Sequence, residues 1–199
     1  MNRFTIAAKK HIDEDISIIL ICSDRNNGKN PSLKKIGGEY LISGQIDIIY
    51  NKFGREVDLV IVTGYESQPL ISLIDRKVRI VHNENFDHTD FSHSVYLGLI
   101  NTTTQSVFIV DGKKPLTGNE FVPSLDSYVL VSDSGEVGLL LDKENVSHFS
   151  YGLPKKLGGV HYLRSDNIVR YLKHHSENLL YHEILNLMID DGAKFKTYV

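Results

Sequence analysis

The chain has 199 residues, 41% of them hydrophobic and 24% charged. That balance suits one globular domain able to bury roughly 70% of the surface its unfolded form exposes. A net charge of -3 and a pI of about 6.3 give no long-range pull toward a polyanion, so nucleic acid is not an expected partner.

No apolar stretch reaches the roughly 18 to 20 residues that cross a bilayer, and the opening MNRFTIAAKKHIDED turns charged too soon for a secretory signal. The expectation is a cytoplasmic protein with no membrane partner. The single cysteine, Cys22, lies in an apolar run and reads as a small buried hydrophobe.

Ile16 to Cys22 is an almost continuous apolar run of the kind buried on both faces of a central strand. A polar loop, SDRNNGKNPSLKK, follows. Ser43 is expected to cap a helix to about Phe53, on which Ile46, Ile49, Tyr50 and Phe53 recur at helical spacing. Val57 to Val62 is a second buried strand, Pro69 to Asp75 a short helix, Val78 to Val81 a strand, Ser92 to Ile100 a helix, and Val107 to Val110 a fourth strand. Apolar strands alternating with helices predict an α/β, three-layer, mostly parallel doubly wound sheet.

The second half changes character. Tyr128 to Val131 and Val137 to Leu141 flank Ser132-Asp133-Ser134-Gly135-Glu136 and read as an antiparallel hairpin. Gly159 to Leu163 is a short strand, and Ser165 is expected to cap a helix to about His174. Glu177 to Asp190 reads as a second C-terminal helix with Leu180, Ile184, Leu187 and Met188 on one face, ended by Gly192. Phe195 to Val199 reads as a last strand. With no linker, repeat or low-complexity tract, residues 1–199 are expected to form a single domain.

Five segments in this order resemble the nucleotide-sugar pyrophosphorylases and related nucleotidyltransferases, a glycosyltransferase-A-like Rossmann variant. They are SIILIC with its polar loop; PSLKKIGGEYLISGQIDIIYNKF; VDLVIVTGYES; HTDFSHSVYLGL before VFIVDG; and SGEVGLLLDKENVSHFSYGLPKKLGGVHYL. The resemblance spans about Ser17 to Tyr198 and implies a nucleotide pocket beyond the carboxyl ends of the strands, lined by the loops after Cys22, Val62 and Val110. It implies nucleotide-binding positions at Asp24, Arg25, Asn26, Gly28, Gly64, Thr89 and Ser94.

The family's first loop wraps a triphosphate with bare amides and cations. Here Asp24 and Asn26 stand where the resemblance puts glycines, and the arginine position falls near Gly28. A carboxylate there repels phosphate by about 1 kcal/mol in water at 4 Å and about 4 at an effective dielectric of 20. The lysine of the Pro-Lys pair aligns with Pro31 or Ser32, leaving Lys29, Lys34, Lys35 or Arg25 as substitutes, against the plainer reading of a solvated basic loop. Relatives hold Mg²⁺ with Asp-Gly-Asp. This chain has Asp111, Gly112 and Lys113, so Asp111 is the one metal-ligand position kept, and a second carboxylate expected after the last strand has no counterpart.

His82, His88 and His93 with Asp87 and Asp90 match no metal-ligand spacing and read as a polar loop. His174 and His175 read as helix-end charges.

Two functions follow from the resemblance, with a third beside them. One is a catalytically degenerate domain kept as a binding or structural component of a larger assembly such as a viral particle, with protein partners and no cofactor. The other is an active Mg²⁺-dependent nucleotidyltransferase that joins a nucleotidyl group to a phosphosugar or phosphocholine-like acceptor, with Asp111 on the metal and Lys29 and Lys35 offsetting charge. A third is a sensor that binds nucleotide or nucleotide sugar without turnover. The direction of Lys113, into the pocket or away, and the approach of Asp126 or Asp133 to Asp111 separate them.

Overall fold

The structure, a computed structural model, describes residues 15–199; apart from Asp15, the charged opening segment lies outside them. The first half runs β1 (Ile16–Cys22), a small ribbon of β2 (Lys35–Ile36) and β3 (Glu39–Tyr40), α1 (Leu41–Phe53), β4 (Asp58–Thr63), α2 (Ser67–Ile71), β5 (Arg79–His82), α3 (Phe91–Ile100) and β6 (Ser106–Asp111). The second runs β7 (Tyr128–Ser132), β8 (Val137–Asp142), β9 (Asn145–Tyr151), β10 (Lys155–Arg164), α4 (Ser165–His174), α5 (Tyr181–Asp190) and β11 (Lys196–Tyr198).

Nine strands form one sheet in the order β5-β4-β1-β6-β10-β7-β11-β9-β8. The first four are mutually parallel, with Leu20 level with Ile61 on one side and Val110 on the other. β10 enters antiparallel to β6 and makes the sheet mixed. Its long first half also pairs with β8, so β10, β7, β11, β9 and β8 close on themselves.

The alternation of side chains along a strand sorts β1 into two cores. Ile19 and Ile21 pack with Val95 and Leu99 of α3 and with Ile184 and Met188 of α5. Ile18, Leu20 and Cys22 pack with Ile42, Ile46 and Ile49 of α1 on the other face. Full burial of each of these side chains contributes roughly 1.5 to 3 kcal/mol, and this is why β1 carries no polar residue between Ile18 and Cys22. Gly98 lets α3 lie directly on β1, because a Cβ there would overlap the Ile19 side chain.

Several sequence expectations are corrected. α1 begins at Leu41 with Ser43 already inside it, because the Leu41 N–H is satisfied by the Lys34 carbonyl at 2.8 Å and needs no side-chain cap. α4 likewise includes Ser165, which does not cap it. α5 starts at Tyr181, and its buried face is Tyr181, Ile184, Leu185 and Met188, whereas Leu180 and Leu187 are 36% and 37% exposed. Tyr128 to Val131 and Val137 to Leu141 do not form a hairpin. β7 lies between β10 and β11, and β8 turns through Lys143, at φ 57°, onto β9. Gly192 does follow α5 at φ 85°, as its position predicts.

Candidate functional site

The carboxyl ends of β1, β4, β5 and β6 bring four loops together. The loop after β1 is a tight turn and not an open cradle. Asn26 N–H donates to the Lys29 carbonyl at 2.8 Å and Lys29 N–H returns the bond at 3.0 Å, with Asn27 and Gly28 both at positive φ. Asn-Gly at the centre of a two-residue turn is the strongest local signal for this geometry, and it was present in the sequence. Asn30 then fastens the loop. Its amide group donates to the Cys22 carbonyl at 2.8 Å and the Tyr65 carbonyl at 2.7 Å, and its oxygen accepts from Ser32 N–H at 2.9 Å.

A carboxylate already sits on this loop, since Asn30 N–H donates to Glu66 Oε2 at 2.7 Å. Glu66 holds a left-handed backbone, φ 51°. Gly64 permits the close approach: a Cβ there would stand 2.7 Å from the Ser23 carbonyl oxygen. Arg25 lies over the Tyr65 ring at 4.9 Å and 3.7 Å from Asp87.

Asp111 ends β6 and faces the same space. One of its oxygens accepts the Lys113 backbone N–H at 3.0 Å. Lys113 lines a cleft with Asp111, and its Nζ lies 2.6 Å from Asp24 Oδ2. Asp24 and Lys113 are partly open to water, 28% and 39% exposed, so the pair contributes on the order of 1 kcal/mol or less to stability. Burial raises the Asp111 carboxyl above the usual carboxylate range against the opposing charge of Lys113. Burial acts against the Lys113 ammonium as well, but the carboxylates of Asp111 and Asp24 outweigh it and raise its pKa. Asp126 is paired with Lys196 at 3.1 Å. The neighbouring charges that act on Asp111 are those of Lys113, Asp24 and Lys114.

The remaining predicted positions are spread around this centre. Ser94 is buried, sharing a hydrogen bond with Ser23 Oγ at 2.7 Å and accepting from Asn83 Nδ2 at 3.0 Å. Thr89 accepts from the same Asn83 at 3.1 Å and donates to the Asn85 carbonyl at 2.9 Å. Asn83, buried directly after β5, is therefore the hub of this loop, a role that no motif announced. Lys29 and Lys34 line a cleft of about 660 Å³ with Glu66 and Tyr40, while Lys35 turns onto the Tyr40 ring at 4.7 Å.

Of the histidine cluster, His82 faces Thr63 Oγ1 at 3.1 Å and His93 faces His175 at 3.4 Å. Among the described residues no three His, Cys, Asp or Glu side chains are gathered to hold a metal. His174 meets Asp191 at 3.1 Å beside Lys173.

A second cleft, about 350 Å³, is lined by Asp111 and Lys113 together with His161 and Tyr181. His161 Nε2 lies 3.2 Å from the Gly158 carbonyl, which can only accept, so the ring proton is assigned to Nε2. Nδ1 then accepts the Tyr181 hydroxyl at 2.7 Å. Burial lowers the His161 pKa to about 4, so the ring is neutral, and raises that of Tyr181. This pair, missed in the sequence because its members lie on different elements, lines the cleft with polar but uncharged groups.

The arrangement matches known enzymes in three dimensions. The inositol-1-phosphate CTP transferase from T. maritima superposes with a TM-score of 0.73 over 93% of this chain and 85% of its own, at 12% identity. The CTP:phosphocholine cytidylyltransferase from Streptococcus pneumoniae gives 0.71 over 93% and 90%, at 17% identity. The 4-diphosphocytidyl-2C-methyl-D-erythritol synthase from Anaerococcus prevotii gives 0.67 over 95% and 88%, at 16% identity. The chain has the nucleotide-diphospho-sugar transferase fold.

No family model matches the sequence, and no curated protein does. This fold is thus carried by shape at identities of 12% to 17% in these three comparisons. It places the turn at Asn27-Gly28, the Asp24–Lys113 pair and Asp111 at the end of the sheet where α/β folds bind ligands. No helix among the described residues is long and apolar enough to cross a membrane.

Proposed function

We propose that this protein is a nucleotidyltransferase that joins a nucleotidyl group from a nucleoside triphosphate to a small phosphorylated acceptor, releasing pyrophosphate. The observation that carries the reading is the cleft lined by Asp111, Lys113, His161 and Tyr181, with Lys113 paired to Asp24 of the β1 loop, at the ligand-binding end of a fold matched along nearly its whole length by such enzymes. In this reading the nucleotide lies across the loops after β1, β4 and β5, and the acceptor lies over His161 and Tyr181. An acceptor phosphate oxygen attacks the α-phosphorus, the bond from that phosphorus to the bridging oxygen breaks, and pyrophosphate leaves. Lys113, Lys29 and Arg25 supply positive charge to the phosphates as charge shifts onto the leaving group.

The resemblance implies Mg²⁺ at Asp111, and the residues present do not fit it. A magnesium ion at such a site takes one or two unencumbered protein carboxylates beside its waters and the substrate phosphates. Here one Asp111 oxygen accepts an amide N–H, and Asp24 is held by an ammonium group. No step is assigned to a metal. Two of the similar structures are a CTP transferase of inositol 1-phosphate and a CTP:phosphocholine cytidylyltransferase, so CTP with either acceptor is the first pair to assay. Pyrophosphate release that requires both substrates and falls at least ~100-fold in Lys113→Ala supports the proposal. No release with any common nucleoside triphosphate and phosphorylated acceptor refutes it.

One observation favours a second reading, a domain kept for binding or for a place in an assembly with protein partners. The Glu66 carboxylate and the closed Asn27-Gly28 turn satisfy loop groups that would otherwise meet phosphate. Under that reading no nucleotide binds up to millimolar concentration.

A further inference from the structure

We infer that the Lys113 ammonium, paired with Asp24 beside Asp111, takes the place of a divalent cation in this protein, so that a polyphosphate bound there is held without a divalent metal. The inference about polyphosphate rests on the nucleotide reading above; the assignment of the cation position does not. Three observations converge. Lys113 stands at the sequence position where the resemblance puts a carboxylate, which removes an oxygen ligand and adds a charge of opposite sign. Its Nζ sits 2.6 Å from Asp24, at the pocket side of the β1 loop. Asp111 is engaged by the backbone of the same residue at 3.0 Å.

A single residue thus contacts two carboxylates, Asp111 through its amide and Asp24 through its side chain, while Asp90 and Glu136 line the same cleft as Asp111. A divalent ion entering here would have to displace an ammonium paired with Asp24 and attracted by the nearby Asp111 charge. The ammonium, on a flexible four-carbon stem with three donors, can instead exchange Asp24 for a phosphate oxygen without leaving the site. Asp24 is then an internal placeholder, an anion that competes with the ligand for Lys113. Its removal strengthens binding, the opposite of what loss of a structural or metal-binding carboxylate does.

The test has two arms. In the first, Mn²⁺ is titrated into the protein without nucleotide and free ion is followed by electron paramagnetic resonance. The wild type retains no Mn²⁺ at millimolar concentration, while Lys113→Asp gains at least ~10-fold in affinity; Lys113→Ser serves if the aspartate variant fails to melt cooperatively. In the second, CTP is titrated calorimetrically in EDTA and in Mg²⁺. The two affinities agree within about twofold, Lys113→Ala loses at least ~10-fold in EDTA, Lys113→Arg restores most of it, and Asp24→Asn binds several-fold more tightly. Mn²⁺ held by the wild type and lost in Asp111→Asn overturns the inference, as does CTP binding abolished by EDTA. Failure of every nucleoside triphosphate to bind, with the Mn²⁺ results as expected, refutes the nucleotide reading and leaves Lys113 in the cation position.

Discussion

Replacing Gly112 by alanine adds one methyl group at the most confined point of the site. Gly112 N–H donates to the Ile21 carbonyl at 2.9 Å, tying the end of β6 to β1. A Cβ at this position would collide with that same carbonyl oxygen, and would stand 2.7 Å from Cys22 Sγ and 2.9 Å from Ser32 Oγ. The oxygen belongs to the backbone of a central strand whose neighbours are fully buried, so it cannot yield. Overpacking of this kind costs about 1 to 3 kcal/mol, and stretching the hydrogen bond adds about 1, for a total of about 2 to 4 kcal/mol. With a urea m-value of about 2 kcal/mol/M, the unfolding midpoint falls by about 1 to 2 M. Gly44 is the control: it lies inside α1 and the nearest atom to its added Cβ is Glu39 Oε2 at 3.9 Å. Alanine there raises stability by about 0.5 to 1 kcal/mol through helix propensity. If Gly112→Ala unfolds within about 0.3 M of the wild type, or if the two substitutions shift the midpoint in the same direction, the reasoning about close approach is wrong.

Two further outcomes follow from buried titratable groups. Because the His161 pKa falls from 6.5 to about 4 on folding, the unfolded chain binds more protons between those values. The stability it contributes is complete above pH 6.5 and is lost as pH falls through 4, by about 3 kcal/mol in all. Urea midpoints at pH 7.5 and pH 4.5 should diverge less in His161→Gln than in the wild type, and an equal divergence counts against this assignment. Burial also raises the Cys22 thiol to about 12. Ellman's reagent should therefore react only at the rate set by unfolding, accelerating with urea, and rapid labelling of the native protein would contradict the buried position.

The inner strands of the parallel half were legible because each is an apolar run that both helical layers must cover; β1 and β6 show this plainly, whereas β5 at the edge is mostly exposed. Helix starts were less so, since Ser43 and Ser165 carry good capping chemistry that tertiary hydrogen bonds made unnecessary. β9 escaped notice because Val146 and Phe149 are its buried apolar residues, set among exposed polar ones, and its partner β8 was assigned to β7 by proximity in sequence. At the site, Asp111 and the loops after β1 and β4 followed from order along the chain. The ion pair of Lys113 with Asp24, the Glu66 carboxylate on Asn30 and the His161–Tyr181 pair join residues distant in sequence, and no local pattern encodes such meetings. The Asn27-Gly28 turn was encoded locally; reading the loop as an altered phosphate cradle obscured it.

The position of β11 bears on how the molecule assembles. Lys196 to Tyr198 does not finish the sheet at its rim; it slots between β7 and β9, parallel to one and antiparallel to the other. Until it does, both neighbours carry exposed rows of backbone donors and acceptors able to recruit another chain. The closed group of strands therefore forms late, after loop closures that are slow to search, while the parallel half can condense from segments nearer in sequence. Loss of only a few residues around Tyr198 would leave the parallel half intact and turn the other half into a template for aggregation.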